Sequence, residues 1–179
     1  MADMMTGMAD DLARGLTPGV LDAQAQRAFR LGGCAGLALA LHRRTGWPLV
    51  KVTDAEAVYA GDGWDPLAHA SLRRRADALH NQCGMGCGGL HWGVLHPTGQ
   101  LVDVDGLNGL LETVRRYDPH ADGRRAALGL SSVEELLDEY VEARGEPVPL
   151  TLAASFVEPV LALVAGQLAR QGVAGPGVR

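Results

Sequence analysis

Leu90-His91-Trp92-Gly93-Val94-Leu95-His96-Pro97-Thr98-Gly99-Gln100-Leu101-Val102-Asp103-Val104-Asp105 is the stretch from which the fold is read. Two runs rich in alternating and β-branched residues flank a Pro-Thr-Gly connection, the pattern of a β-hairpin. A type I turn followed by a left-handed Gly99 bulge joins two such strands. With a three-residue loop, His96 faces Gln100 and His91 falls opposite Asp105. Side chains alternate with period two, so Asp103 is a diagonal neighbour of His91 on the same face. Gly93 shares that face and is expected to leave room there. His96 points the other way and reads as a surface residue.

Upstream of the hairpin stands Gly32-Gly33-Cys34-Ala35-Gly36, then the apolar run Leu37-Ala38-Leu39-Ala40-Leu41. The run reads as a helix from Cys34 to about Arg44, apolar on nearly every side and therefore central and buried. Thr45-Gly46 ends it, with Gly46 suited to a left-handed cap. Trp47-Pro48 leads into a strand over 49–53. Before the glycines, Thr17-Pro18 suggests a helix start, and residues 18–29 place Val20, Leu21, Ala25, Ala28 and Phe29 on an inner side.

The remaining chain is less regular. Residues 1–15 read as a flexible lead-in. An insert over 54–89 holds a short strand at 57–59, a helix over 66–79, and the loop Cys83-Gly84-Met85-Gly86-Cys87-Gly88-Gly89. After the hairpin, closed by Gly106, helices are expected over 107–117, 131–143 and 152–171. Ser132 followed by Glu135 resembles a capping box, and Pro159 suggests a kink. Residues 172–179 read as a flexible tail. The sum is an α+β plan with one domain over 16–171. A central helix packs on a small antiparallel sheet, with extra helices at the C-terminus.

Composition narrows the function. The chain has 179 residues, enough for one domain with a real core. Its net charge of −5 and 4% aromatic content argue against nucleic-acid binding, and Arg73-Arg74-Arg75 reads as a solvated helix face. No run of ~18 uncharged apolar residues suggests a membrane span. The first residues lack a basic region followed by an apolar one, so a cytoplasmic protein, or one exported without a Sec signal, is expected. Three cysteines, Cys34, Cys83 and Cys87, do not suggest a disulfide framework.

Three residue types point to chemistry together: a Cys at a helix start, a His at a strand start and an Asp on the next strand. The free amides and positive dipole of a helix N-terminus stabilise a thiolate. Taken alone, Cys34 reads as a small core residue, because free cysteines are often buried. A nearby base and an acid to orient it reverse that preference. By register, both Asp103 and Asp105 share the face of His91, and either is a candidate acid.

Gly32 to His42, followed by Thr45-Gly46-Trp47-Pro48, resembles a group of uncharacterised bacterial and phage proteins with a papain-like core. In that group a Gly-x-Cys box opens an apolar helix. A His-bearing strand, a Pro-x-Gly turn and a Leu-x-Asp strand follow, which residues 91–106 match. The arrangement is similar to the Cys-His-Asp core of papain-like peptidases, transglutaminases and arylamine N-acetyltransferases. The resemblance covers roughly residues 26–108 apart from the insert. It implies Cys34 as nucleophile, His91 as base and Asp103 as orienting acid, with Asp105 the alternative that direct register favours. It also implies an oxyanion hole from the nucleophile's amide and a side-chain donor, for which Gln26 is the candidate. Such a site forms a thioester and gives hydrolysis, deamidation or acyl transfer on a protein or peptide substrate, without a cofactor.

Members of the group carry Gln before the Cys and His after it, whereas here Gly33 and Ala35 stand there. That departure motivates a second reading, a binding or scaffold protein on the same core without turnover. A third rests on His80, Cys83, Cys87 and His91, four nitrogen and sulfur ligands within twelve residues, as a zinc-stabilised module. Their spacing matches no usual finger pattern, so a glycine loop with incidental thiols, or a reversible Cys83–Cys87 link, is set beside it.

Overall fold

Cys34–Thr45 is a central helix that contacts most of the other described elements. The computed structural model describes residues 15–30, 32–54, 91–117, 126–144 and 150–172. Among them the elements are, in order, α1 (Ala23–Arg30), α2 (Cys34–Thr45), β1 (Leu49–Asp54), β2 (His91–Leu95), β3 (Leu101–Asp103) and β4 (Gly106–Asn108). They continue with α3 (Leu110–Tyr117), β5 (Ala126–Ser131), α4 (Val133–Arg144), α5 (Leu150–Ser155) and α6 (Val157–Arg170). The fold is α+β, with one five-stranded antiparallel sheet in the order β4-β3-β2-β1-β5. The expectations for residues 1–14, for the insert over 54–89 from residue 55 onward, and for 173–179 lie outside the described residues. His80, Cys83 and Cys87 fall among these.

Every residue from Cys34 to Leu41 is buried, as an all-round apolar helix requires. The helix packs on β2 on one side and against α5 and α6 on another. Gly46 ends it at φ 71°, its amide bonding His42 O at 2.8 Å. The Thr45 hydroxyl donates to Leu41 O and accepts from the Trp47 amide, which sets the chain's exit toward β1.

The β2–β3 hairpin pairs Val94 with Val102 and Leu95 with Leu101. Its turn has the expected bonds: the Gly99 amide to His96 O at 2.8 Å and the His96 amide to Gln100 O at 2.9 Å, with Gly99 at φ 81°. Alternation then sends Trp92, Val94 and Val102 into the core shared with Leu37, Leu41 and Leu49. His91, Gly93 and Asp103 alternate with these along the two strands, and His91 and Asp103 are buried beside the start of α2. Lys51 of β1 is held by Glu135 and Glu139 of α4 and lies 5.6 Å from the Trp92 ring, so charge as well as apolar contact ties α4 to the sheet.

Several local expectations are corrected. Thr17-Pro18 forms a turn, closed by the Val20 amide on Thr17 O. α1 begins later at Ala23, where the Asp22 carboxylate caps the Ala25 amide at 2.8 Å. Asp103-Val104-Asp105-Gly106 turns back on itself, with Gly106 at φ 83°, and residues 106–108 are a strand rather than the start of a helix. β5 pairs with β1 where only a connection to the helix of 131–143 was expected. The C-terminal helix is two helices parted at Phe156. Pro159 sits in the first turn of α6, where its missing N–H costs no intrahelical bond. His96 is buried rather than at the surface. The face it points to is covered by Trp47, whose ring meets the imidazole edge-on at 4.6 Å, and Thr98 holds its Nδ1.

Candidate active site

The first turn of α2 and the ends of β2 and β3 meet at Cys34, His91 and Asp103. The local folding that does this is simple. Gly32, at φ 147°, turns the chain out of α1, and α2 starts two residues later with Cys34 as its first helical residue. β2 starts at His91, and β3 ends at Asp103, the diagonal neighbour that the register allows.

The His91 Nε2–H donates to Asp103 Oδ2 at 3.0 Å, with His91 0% and Asp103 2% exposed. Asp103 Oδ1 accepts two further bonds, from Asn108 Nδ2 and from the Asp105 amide, both at 2.8 Å. The carboxylate is thus fixed at both oxygens. Asp105 does not reach the imidazole. It bonds Arg30 of α1, its Oδ2 lying 2.9 Å from Arg30 Nε, with a second contact from Arg30 Nη2 to Oδ1. The tight turn after Asp103 ends β3 one residue after the last partner of β2, which carries Asp105 away from the position that direct register assigns it.

Asp103 takes the Nε2 edge of the ring, and Cys34 and His91 lie close enough to shift each other's titration. Burial pushes the thiol up. The hydrogen bond and charge of His91, with the amides of Trp92 and Ala35, outweigh it and hold Cys34 below its ordinary value of 9.0. Burial likewise pushes His91 down, but Asp103 and then Cys34 outweigh it and raise it from 6.5 to about 9. Both shifts favour a thiolate beside an imidazolium.

Two donors to the sulfur come from backbone. The Ala35 amide is one of the unpartnered amides of the first helical turn. The Trp92 amide is explained by strand parity. The Leu95 amide points to β1, at Pro48 O, and the His96 amide points to the β3 side, so Trp92 N–H also points to the β3 side. β3 has already ended there, and the amide turns to Cys34 instead.

The surroundings are tight. Phe29, Leu37, Trp92, Val102 and Val104 close around the sulfur and leave no void wide enough for a water molecule, and Cys34 is 4% exposed. Gly93 does not open space as the sequence suggested. A Cβ there would sit 2.7 Å from Val102 O, so this glycine permits close approach of β2 and β3. Gln26 is half-buried on α1 and does not line the space beside Cys34.

Asn108 and the Trp92 amide were not read from the sequence. Asp105-Gly106 was the available signal for Asn108: read as a tight turn, it folds Leu107-Asn108 back beside β3 and brings Asn108 to Asp103. No such signal existed for the amide, which depends on where a neighbouring strand stops. Among the described residues no group of three or more His, Cys, Asp or Glu is arranged to hold a metal, and no helix is long and apolar enough to cross a membrane.

No family model, curated protein or solved structure matches the chain.

Proposed function

We propose that the protein is a cysteine-dependent acyl-transfer enzyme on a papain-like core, a peptidase, deamidase or transglutaminase-like enzyme acting on protein or peptide substrates. The observation that supports this most is the polarised contact of Cys34 with His91, itself held by Asp103. A buried imidazole raised to about 9 beside a lowered thiol is arranged for nucleophilic attack.

The steps follow from the residues. The Cys34 sulfur attacks an acyl carbon and forms a C–S bond while the carbonyl π electrons move to oxygen. Collapse expels the amine or ammonia, which takes the proton that His91 carries, and leaves a thioester on Cys34. Water or an amine then attacks the thioester and passes a proton to His91, and the sulfur leaves as thiolate. Asp103 keeps the imidazole oriented through both halves. The amides of the first turn of α2, beside the sulfur, are the donors this reading assigns to the developing oxyanion.

The test uses p-nitrophenyl acetate as a minimal acyl donor. The expected result is an acetyl group on Cys34, seen by peptide mass mapping, that forms and decays in the native protein, is absent in Cys34→Ala and accumulates at least tenfold more slowly in His91→Ala. Acetylation of Cys83 and Cys87 as fast as Cys34 would refute it. The enclosed sulfur favours one second reading, a binding protein on the same core without turnover. Acetyl transfer to Cys34 that is never released would select that reading.

A further inference from the structure

A sulfur enclosed by core side chains cannot meet an acyl group until something moves, and α1 has the features of the moving part. It is short, eight residues, and its last two residues, Phe29 and Arg30, reach the site and the turn beside it. Phe29 lines the space beside Cys34. Its ring lies so close to the backbone before the cysteine that a Cβ on Gly33 would be 2.8 Å from it. Arg30, the next residue, crosses to Asp105 on the turn that follows the acid of the site. Between α1 and α2 stand Gly32 and Gly33, and Gly32 is at φ 147°, a conformation side chains other than hydrogen rarely adopt. The two glycines fit a hinge, Phe29 the plug, and the Arg30–Asp105 pair the catch.

We propose that α1 is a hinged cover over Cys34, kept closed by the ion pair between Arg30 and Asp105 and opened about Gly32-Gly33. The proposal rests on the acyl-transfer reading for its purpose, but its geometry concerns access to the sulfur alone. Arg30 is 44% and Asp105 11% exposed at the side chain, so the pair is weakened by solvent and salt and suits a reversible catch better than a permanent brace. The aspartate two residues along orients the imidazole, so the two acids of this turn have separate tasks. One serves the reaction site and the other serves its cover.

The experiment measures access, not turnover. In the full chain carrying Cys83→Ser and Cys87→Ser, iodoacetamide reports Cys34. Arg30→Gln and Asp105→Asn are each expected to raise the native alkylation rate about fivefold, the size of a partly exposed ion pair. The charge exchange Arg30→Asp with Asp105→Arg is expected to return it to within about twofold of the parent, because the exchanged pair restores the same attraction. Added salt is expected to accelerate the parent and not the single variants. Urea separates a moving cover from global unfolding: the rate rises with a shallower slope than the unfolding equilibrium. Rates unchanged in both single variants, or rates that track global stability alone, would overturn the cover. Loss of acetyl turnover with the cover effect intact would refute the enzymatic reading and leave the cover standing.

Discussion

Replacing Asp103 with Asn keeps the size of the side chain and removes its charge. The oxygen that accepts from Asn108 and from the Asp105 amide is retained in kind, so the turn can keep its bonds. What changes is the bond to His91 Nε2. The elevation of His91 from 6.5 to about 9 is a net result, burial acting downward against Asp103 first and Cys34 second. That net elevation corresponds to on the order of 3 kcal/mol in favour of the imidazolium. The hydrogen bond to Asp103 is the largest single upward influence, so Asp103→Asn is expected to lower His91 by about one unit, a tenfold loss of protonation. The thiolate loses its counter-charge as the imidazolium becomes scarce, and burial then raises Cys34. The assay is the ultraviolet absorbance of the thiolate against pH in the Cys83→Ser, Cys87→Ser background, together with NMR titration of the His91 ring. Neither readout requires the site to open. Superposable titrations of Asp103→Asn and its parent would refute the assignment of Asp103 as the group that sustains the ion pair.

The remaining predictions concern pH and packing. The thiolate–imidazolium pair exists between the lowered titration of Cys34 and the loss of the His91 proton, so turnover of p-nitrophenyl acetate is expected to hold through neutral pH and to fall as pH rises past about 9; a rate still climbing beyond that value would contradict it. Asn108→Ala removes a buried donor from Asp103 and is expected to cost about 1–3 kcal/mol in urea unfolding, with a slower acetylation of Cys34. Gly93→Ala forces a methyl against Val102 O and is expected to destabilise by about 1–3 kcal/mol, read by the same unfolding. Phe156→Ala empties a fully buried site and removes the edge-on partner of Phe29, whose ring centre is 5.0 Å away. About 3–5 kcal/mol is expected, together with faster alkylation of Cys34.

What could be read from the sequence was whatever its local pattern specified. The apolar run after Cys34 has one solution, a buried helix, and Thr45-Gly46 ends it by local bonds alone. The hairpin carries its own turn chemistry at Pro97 to Gly99, which fixed the register and placed both acids on the face of His91. The choice between the acids was not local. It depends on the tight turn after Asp103 and on Arg30, seventy-five residues away, engaging Asp105. β5 was missed for a similar reason. Ala126-Ala127-Leu128-Gly129-Leu130-Ser131 has no β-branched residue and no alternation, and it is extended because β1 offers an open edge. His96 was misread because alternation tells which face a residue takes, and not whether that face meets water.

The order of the sheet has a consequence for how the molecule is made. β1 lies between β2 and β5, so neither of its neighbours exists until the chain has reached His91 and then Ala126. α2 likewise lacks the covering of α5 and α6 until residues past Leu150 have emerged. During synthesis the most completely buried helix among the described residues therefore lacks its covering for most of the chain's growth. Pairings of such long sequence separation also fold slowly, because loop closure comes before the contacts that reward it. The cysteine at the head of α2 meets His91 and Asp103 only once the chain has passed residue 103, and the helices that bury the rest of α2 come later still. A chain stopped before residue 150 would carry α2 without two of the helices that pack on it.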